Sequence, residues 1–593
     1  MNVLVVVLVG AALLFIASRT YPFWIRRVFR LNDDTPPPSV QFADGKDYVK
    51  TPTQVVFAHH FASIAGAGPI VGPIFALAFG WGPAWLWIIL GGILLGGVHD
   101  MTSMAVSLRE GGKTIAEIAR RTLGNGGYLL FVLILICVLC LINAIFLNLS
   151  AVSLTSLLPI AKLGVDPADT VLKTVAIDGV VNVQIGGIAT TSVFIMTGCA
   201  PILGYLIYKR GLKGFGAFLF AAVVCVVSVI IGFHFPVRLS DDIDVAMNSW
   251  RWILTAYVFI GCWIPVWLVL QPRDFTNVQV LYAALALLFL GALVAGARGL
   301  VIDLDRIATL DVGRQAVKGP IWPFLFITIA CGAISGFHSL VSTGTTVKQI
   351  ARETDCRRVG YNAMLLESFL ALLVLVAVGS HLSLGEYMDN VYPTGGRGNT
   401  VLAFALGCGR TFQYLGIRTD IGSVLGILIL EGFLVTTLDT SVRLCRYLIE
   451  EIWNCLFRGK VPAVLRLRLV NTALAVAGML FFALSALYQH IWTIFGAGNQ
   501  LMAALALTTV TVWLMQRRRS WWFTALPALF MVVTTIVALW TRMFVDYEDG
   551  RFPLAGAGTF LLALTIGFII VGTIRIYAAL KQAAREAPGT HTA

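Results

Sequence analysis

Residues 66–73 read Gly-Ala-Gly-Pro-Ile-Val-Gly-Pro, with three glycines and two prolines inside an apolar stretch. Proline removes a backbone donor and glycine favours a helix poorly, so a helix laid through this run must open. Pro69 suits the first turn of a new half-helix. The N–H groups of Gly66, Ala67 and Gly68 then point, with the positive end of a helix dipole, at an anion. That is chemistry for holding a carboxylate, with His60 and Ser63 as side-chain helpers. The plain alternative is a kink whose glycines serve close packing.

Two further stretches are soft. One is Gly261-Cys262-Trp263-Ile264-Pro265, which offers Trp263 to the same substrate site. The other carries Gly332, then Ser335-Gly336-Phe337-His338, then the hydroxyls Ser342, Thr343, Thr345 and Thr346. Hydroxyls in a membrane helix often only bond a preceding carbonyl, but four within five residues also offer oxygens to a cation. A charge at bilayer centre costs about 2.5–3.5 kcal/mol on insertion scales. Glu431 and Asp100 are therefore expected to join those hydroxyls in ion coupling. Asp439 and Glu367 are expected to pair structurally with Arg273, Arg443 or nearby backbone. His59 and His60 are neighbours about 100° apart on a helix and form no compact ligand face. No metal site, cofactor or catalytic group is expected. The ten cysteines read as small packing hydrophobes.

These residues need a membrane scaffold. Of 593 residues, 58% are hydrophobic and 12% charged, against about 25% charged in soluble domains; the mean hydropathy is +0.84. The expectation is an all-α polytopic membrane protein of about fifteen helices. The spans are 2–18, 54–80, 82–107, 128–158, 186–208, 215–235, 250–270, 277–297, 322–347, 361–384, 420–441, 466–488, 491–515, 520–541 and 556–577. A weaker stretch, 400–415, reads as a re-entrant or surface loop. The net charge of +12 sits in short connections rather than on a basic, aromatic-laced face, which excludes nucleic acid as a partner and leaves membrane lipid. With the N-terminus outside and the C-terminus cytoplasmic, most Lys and Arg fall inside, as the positive-inside rule asks of a bacterial inner-membrane protein.

The second and seventh spans are five apart and so run in opposite directions. Broken helices in corresponding places of inverted repeats point to a transporter site. The order of elements matches a LeuT-type (APC-like) five-plus-five inverted repeat with extra helices. It divides the chain into an N-terminal helix and loop (1–52), a first repeat (53–236), a second repeat (250–442) and a C-terminal four-helix region (443–593).

The run 59–73 resembles the hallmark of the carbon starvation protein A (CstA) family. Gly97-Val98-His99-Asp100, Gln271-Pro272-Arg273-Asp274, residues 332–338 with 342–345, and Thr436-Thr437-Leu438-Asp439-Thr440 are similar to its other signatures. The resemblance implies a nutrient transporter induced on carbon limitation, grouped with amino acid–polyamine–cation transporters, with members linked to peptide uptake and to pyruvate uptake with a proton. The expected function is a symporter for a small carboxylate or short peptide, driven by H+ or Na+. The rival readings are a nutrient sensor that binds without translocating, although the loop 33–49 and the tail 586–593 hold no signalling domain, and an intramembrane metalloenzyme.

Overall fold

The computed structural model describes residues 1–44, 48–166, 170–177, 179–212, 214–265, 268–302, 304–305, 319–393, 398–486 and 488–585; the tail 586–593 lies outside them. Helices dominate because in lipid only a helix pairs its own backbone groups within one segment. The chain opens with α1 (Val3–Phe29), the bent pair α2 (Thr53–Ile64) and α3 (Gly68–Ala76), α4 (Trp81–Arg109), α5 (Ile115–Thr155) and α6 (Ile185–Tyr208). Next come α7 (Phe215–His234), α8 (Ile243–Gly261), α9 (Leu270–Ala297), and the short α10 (Ile321–Thr328) and α11 (Phe337–Gly344). The chain continues with α12 (Arg357–His381), α13 (Leu384–Val391), α14 (Thr400–Gln413) and α15 (Thr419–Leu456). It closes with α16 (Arg468–Ser485), α17 (Tyr488–Gln516), α18 (Trp522–Glu548) and α19 (Phe552–Arg585).

Among the described residues, twelve helices are single and long and apolar enough to cross a membrane, and α2–α3, bent by 45°, make a thirteenth span. The other two expected spans exist in broken form. The seventh stops at Gly261 and the helix restarts at Leu270. The ninth is two eight-residue pieces, α10 and α11, separated by residues 329–336. The stretch 400–415 is neither surface nor loop: α14 is a buried helix packed on α15 and α12, and Gly407, Cys408 and Gly409 keep its contact face small. The connection between α5 and α6 also departs from an all-helical chain. It holds an antiparallel three-stranded sheet of β1 (Leu158–Pro159), β2 (Thr174–Ile177) and β3 (Val180–Val183), in the order β1-β3-β2.

Burial sorts the helices. In α17, 94% of the most apolar window is buried, and in α12 and α15 89%, against 22% in α7. The first three form the centre and α7 faces lipid. The two longest helices, α5 with 41 residues and α15 with 38, pack along each other. At about 1.5 Å per residue each exceeds the ~30 Å hydrocarbon core, so both must tilt or run on beyond it. Helix α5 also bends at Gly124, where φ is 85°.

Candidate functional site

The second span opens where its glycines and prolines require. Ala65 N donates to Phe61 O at 2.9 Å, Gly66 N turns back to Ile64 O at 2.8 Å, and the helix restarts with Ile70 and Val71 N on Ala67 O. The Gly66 donor is thus taken, whereas the N–H groups of Ala67 and Gly68 meet no acceptor among the described residues. Pro69 occupies the first turn of α3, as expected. Gly66 faces α5 and α15: a Cβ there would stand 3.1 Å from Thr437 Oγ1 and 3.6 Å from the Phe146 ring. Thr437 Oγ1 and, close by in sequence to Phe146, Asn143 Nδ2 are buried without a partner, while Asn143 Oδ1 accepts from Ser441 of α15. Ser63 contributes no free donor, because its hydroxyl bonds His59 O at 2.8 Å.

The break that meets this one belongs to the ninth span, not the seventh. A Cβ on Gly68 would lie 2.3 Å from Cys331 Sγ, so the two chains cross at a distance that only glycine allows. Residues 329–336 sit inside protein, and the backbone groups around them are capped by side chains, as irregular backbone at membrane depth requires. Trp87 Nε1 donates to Phe326 O and Ile329 O at 3.2 and 3.3 Å, and Trp492 Nε1 to Thr328 O at 3.2 Å. Gln500 Nε2 reaches Phe326 O at 2.5 Å. Asn499 closes the other end, its backbone carbonyl accepting from Gly336 N at 3.0 Å and its Oδ1 from Phe337 N at 3.1 Å. The sequence reading passed over Trp492, Asn499 and Gln500. Their signal was an Asn-Gln pair in the middle of an otherwise apolar helix.

Beside the crossing lies a buried chain of ionisable groups. His338, at the start of α11, places Nδ1 2.8 Å from Asp100 Oδ2 on α4 and Nε2 3.2 Å from Glu367 Oε2 on α12. Asp100 Oδ1 also meets His99 Nδ1 at 2.7 Å. Asp100, His99, His338 and Glu367 have no exposed surface. Glu367, expected to pair with an arginine or backbone, pairs with a histidine instead. Cys331 Sγ lies within 4.8 Å of ligand atoms on His338 and Glu367, yet it already contacts Ser335 Oγ and Asn499 Nδ2 at 3.6 Å. The set is therefore a buried cluster in which hydrogen bonds link His99, Asp100 and His338, with Glu367 at ion-pair distance from His338. His60 ties α2 to the end of the ninth span through Thr346 Oγ1 at 2.9 Å.

The four hydroxyls of the ninth span bond backwards. Ser342 donates to His338 O, Thr343 to Ser339 O, and Thr345 and Thr346 to Val341 O, at 2.7–3.3 Å. Thr345 is exposed while the others are buried, so the four do not converge on one point. Glu431 lies buried opposite Ser150 and Ser153, whose hydroxyls are not aligned to donate to it.

The seventh-span break lies elsewhere. Trp263 is 51% exposed and does not join residues 66–69. Arg273 bonds Tyr257 Oη and stands 3.5 Å from Asp439 Oδ2; Tyr257 Oη donates to Asp439 at 3.3 Å. Arg443 Nη2 caps Gly261 O at 2.6 Å. Asp439 is paired structurally, as expected.

The carbon starvation protein CstA family model matches residues 2–396 and 384–538, well beyond the motifs that carry the resemblance. The peptide transporter CstA of Bacillus subtilis (strain 168) is 29% identical over 610 residues, covering 96% of each chain. The pyruvate/proton symporter BtsT of Escherichia coli (strain K12) is 28% identical over 629 residues, covering 91% of this chain and 81% of that one. Among solved structures, a manganese transporter from Eremococcus coleocola covers 91% of this chain and 99% of its own at 10% identity. Its TM-score of 0.42 is too low to bear on the inverted repeat.

Proposed function

The chain belongs to the carbon starvation protein CstA family, and from that premise we propose that it is a proton-coupled symporter importing pyruvate or short peptides across the bacterial inner membrane. Both substrate kinds end in a carboxylate, and relatives are named for each. The observation that carries the reading is the opened second span, with donors at Ala67 and Gly68 and Thr437 Oγ1 beside Gly66, all buried between central helices and all without partners. Unpartnered polar groups in such surroundings cost about 1–3 kcal/mol each, a cost a bound carboxylate removes. His60 stays in the site through its unpartnered Nε2.

The inverted repeat is retained with a changed partner. The ninth span is seven after the second, again an odd number, so the two crossing breaks run in opposite directions and the second repeat begins at the ninth span rather than at 250. The termini are assigned outside and inside from the Lys and Arg distribution. The test is uptake of labelled pyruvate and of labelled dialanine into proteoliposomes, with pH and sodium gradients imposed separately. Accumulation of either substrate with an acid exterior, independent of sodium, is expected. Saturable binding without accumulation under any gradient would make the protein a sensor.

A further inference from the structure

We infer that Glu367 carries the coupling proton, with His338 and Asp100 as the fixed pair that presents it; this rests on the proton-symport reading above. Three helices meet in the cluster. His338 opens α11, immediately after the break that crosses Gly68, and both its ring nitrogens face carboxylates: Asp100 of α4 at 2.8 Å and Glu367 of α12 at 3.2 Å. Nδ1 hydrogen-bonds Asp100, while Nε2 faces Glu367 without the alignment of a hydrogen bond; a proton on each nitrogen makes the ring the imidazolium that both carboxylates attract. Asp100 is well satisfied, since His99 Nδ1 lies 2.7 Å from its other oxygen. Glu367 is not: neither oxygen accepts a hydrogen bond, although both are buried. The remaining ionisable neighbours are His60 on α2 and Cys331 in the break. No lysine or arginine among the described residues pairs with any of the three.

Asp100, Glu367 and an imidazolium His338 together sum to a single negative charge in a site with no exposed surface. An uncompensated charge there costs several kcal/mol. One proton taken from the outer side onto a Glu367 oxygen forms a neutral carboxylic acid and brings the cluster to zero; released to the inner side, it restores the charge. The Ile64 backbone, at the end of α2, lies against the His338 ring, so the cluster borders the opened second span. A substrate carboxylate arriving there raises the local negative charge and favours the protonated cluster. By linkage, the proton favours the substrate to the same degree. Glu431, another buried carboxylate of the membrane helices, stands opposite Ser150 and Ser153 and has no basic partner among the described residues to set its orientation.

The experiment compares Glu367→Gln and Glu431→Gln with the wild type in proteoliposomes, reading both net accumulation and exchange of labelled against unlabelled pyruvate. With one proton per substrate, a one-unit pH gradient gives the wild type about tenfold accumulation. Glu367→Gln should lose that accumulation while still exchanging pyruvate measurably, and Glu431→Gln should keep it. A weakly buffered detergent solution gives a second reading: the wild type takes up a proton when pyruvate is added and Glu367→Gln does not. If Glu367→Gln fails to reach the membrane, Glu367→Asp, which withdraws the carboxyl from His338, should shift the pH profile of accumulation. Gradient-driven accumulation by Glu367→Gln, an unmoved profile in Glu367→Asp, or stoichiometric divalent metal lost on His338→Gln would each overturn the assignment. A wild type that accumulates neither pyruvate nor dialanine under any gradient brings down the transport reading, and this site with it.

Discussion

The breaks in the seventh and ninth spans look alike in sequence, each an interruption that carries glycine and is followed by polar residues, yet they are built for opposite ends. At the seventh, every buried charge has a counter-charge: Arg273 lies between Tyr257 and Asp439, and Arg443 caps Gly261 O. At the ninth, neutral side chains cap the backbone at both ends of the break while Asp100 and Glu367 share the one histidine between them. A fully paired break is a hinge or corner that holds shape. A break with capped ends and unbalanced charge is held in form but open to an added ion. What separates them is the neighbour: α15 brings Arg443 and Asp439 to the seventh, and α4 and α12 bring two carboxylates to the ninth.

The largest test of this contrast is steric. Gly68→Val pushes a side chain into Cys331, where even a Cβ would stand 2.3 Å from the sulfur. Overpacking of this kind costs about 1–3 kcal/mol, and the upper end removes about a hundredfold of the competent conformer. Pyruvate uptake should fall by that factor. Gly261→Ala at the seventh break places its Cβ 3.0 Å from Asp439 Oδ1, the end of a side chain, and should leave uptake within about threefold. Equal losses at both positions would erase the distinction between the breaks.

A second test removes the cation from the paired break. Arg273→Ala leaves buried Asp439 with Arg443 nearby and buried Asp274 with no other ion pair among the described residues, and breaking a buried pair costs about 3–5 kcal/mol. The expected result is a large fall in membrane abundance and in the melting temperature of the purified protein. Adding Asp439→Asn should recover part of it, because one of the two stranded charges is gone. Thr437→Val at the opened second span is milder. It keeps the side-chain shape and deletes only a hydroxyl that has no protein partner. KM for pyruvate should rise about tenfold, the worth of one hydrogen bond to a charged group, with abundance unchanged. An unaltered KM would take Thr437 out of the site.

Much of this was legible in the residues themselves. The opening at 66–69 follows from Pro and Gly alone, and structural pairing of Asp439 follows from the cost of an unpaired charge. Two features were not legible, for definite reasons. Hydroxyl content drew attention to Ser342–Thr346, but hydroxyls bond backwards within a helix as readily as they bind ions, and only coordinates separate the two. Which break meets the second span depends on three-dimensional packing through α17, whose Asn499 and Gln500 do the capping. The small sheet was missed although β-branched residues flank Gly179, a hairpin signal, because an apolar chain draws attention to its helices.

The smallest expected effect sets the scale for the other pairs, at an ion pair outside both breaks. Arg410 donates to both Glu386 oxygens at 2.9–3.0 Å and holds that carboxyl below its ordinary value of 4.5. The folded value lies below the unfolded one, so the stabilisation is complete above pH 4.5 and drains away as pH falls through the folded value. A half-exposed pair contributes a few tenths to about 1 kcal/mol. Glu386 also sits in a capping box with Ser383, but glutamine caps as glutamate does, so Glu386→Gln isolates the charge. The wild type should melt slightly higher than Glu386→Gln at pH 7, and the gap should close as acidification carries the folded carboxyl through its lowered value. A gap that persists in acid would show that Glu386 holds α13 to α14 by shape rather than by charge. The half-exposed pair would then be no measure of what Arg273 contributes at the seventh break.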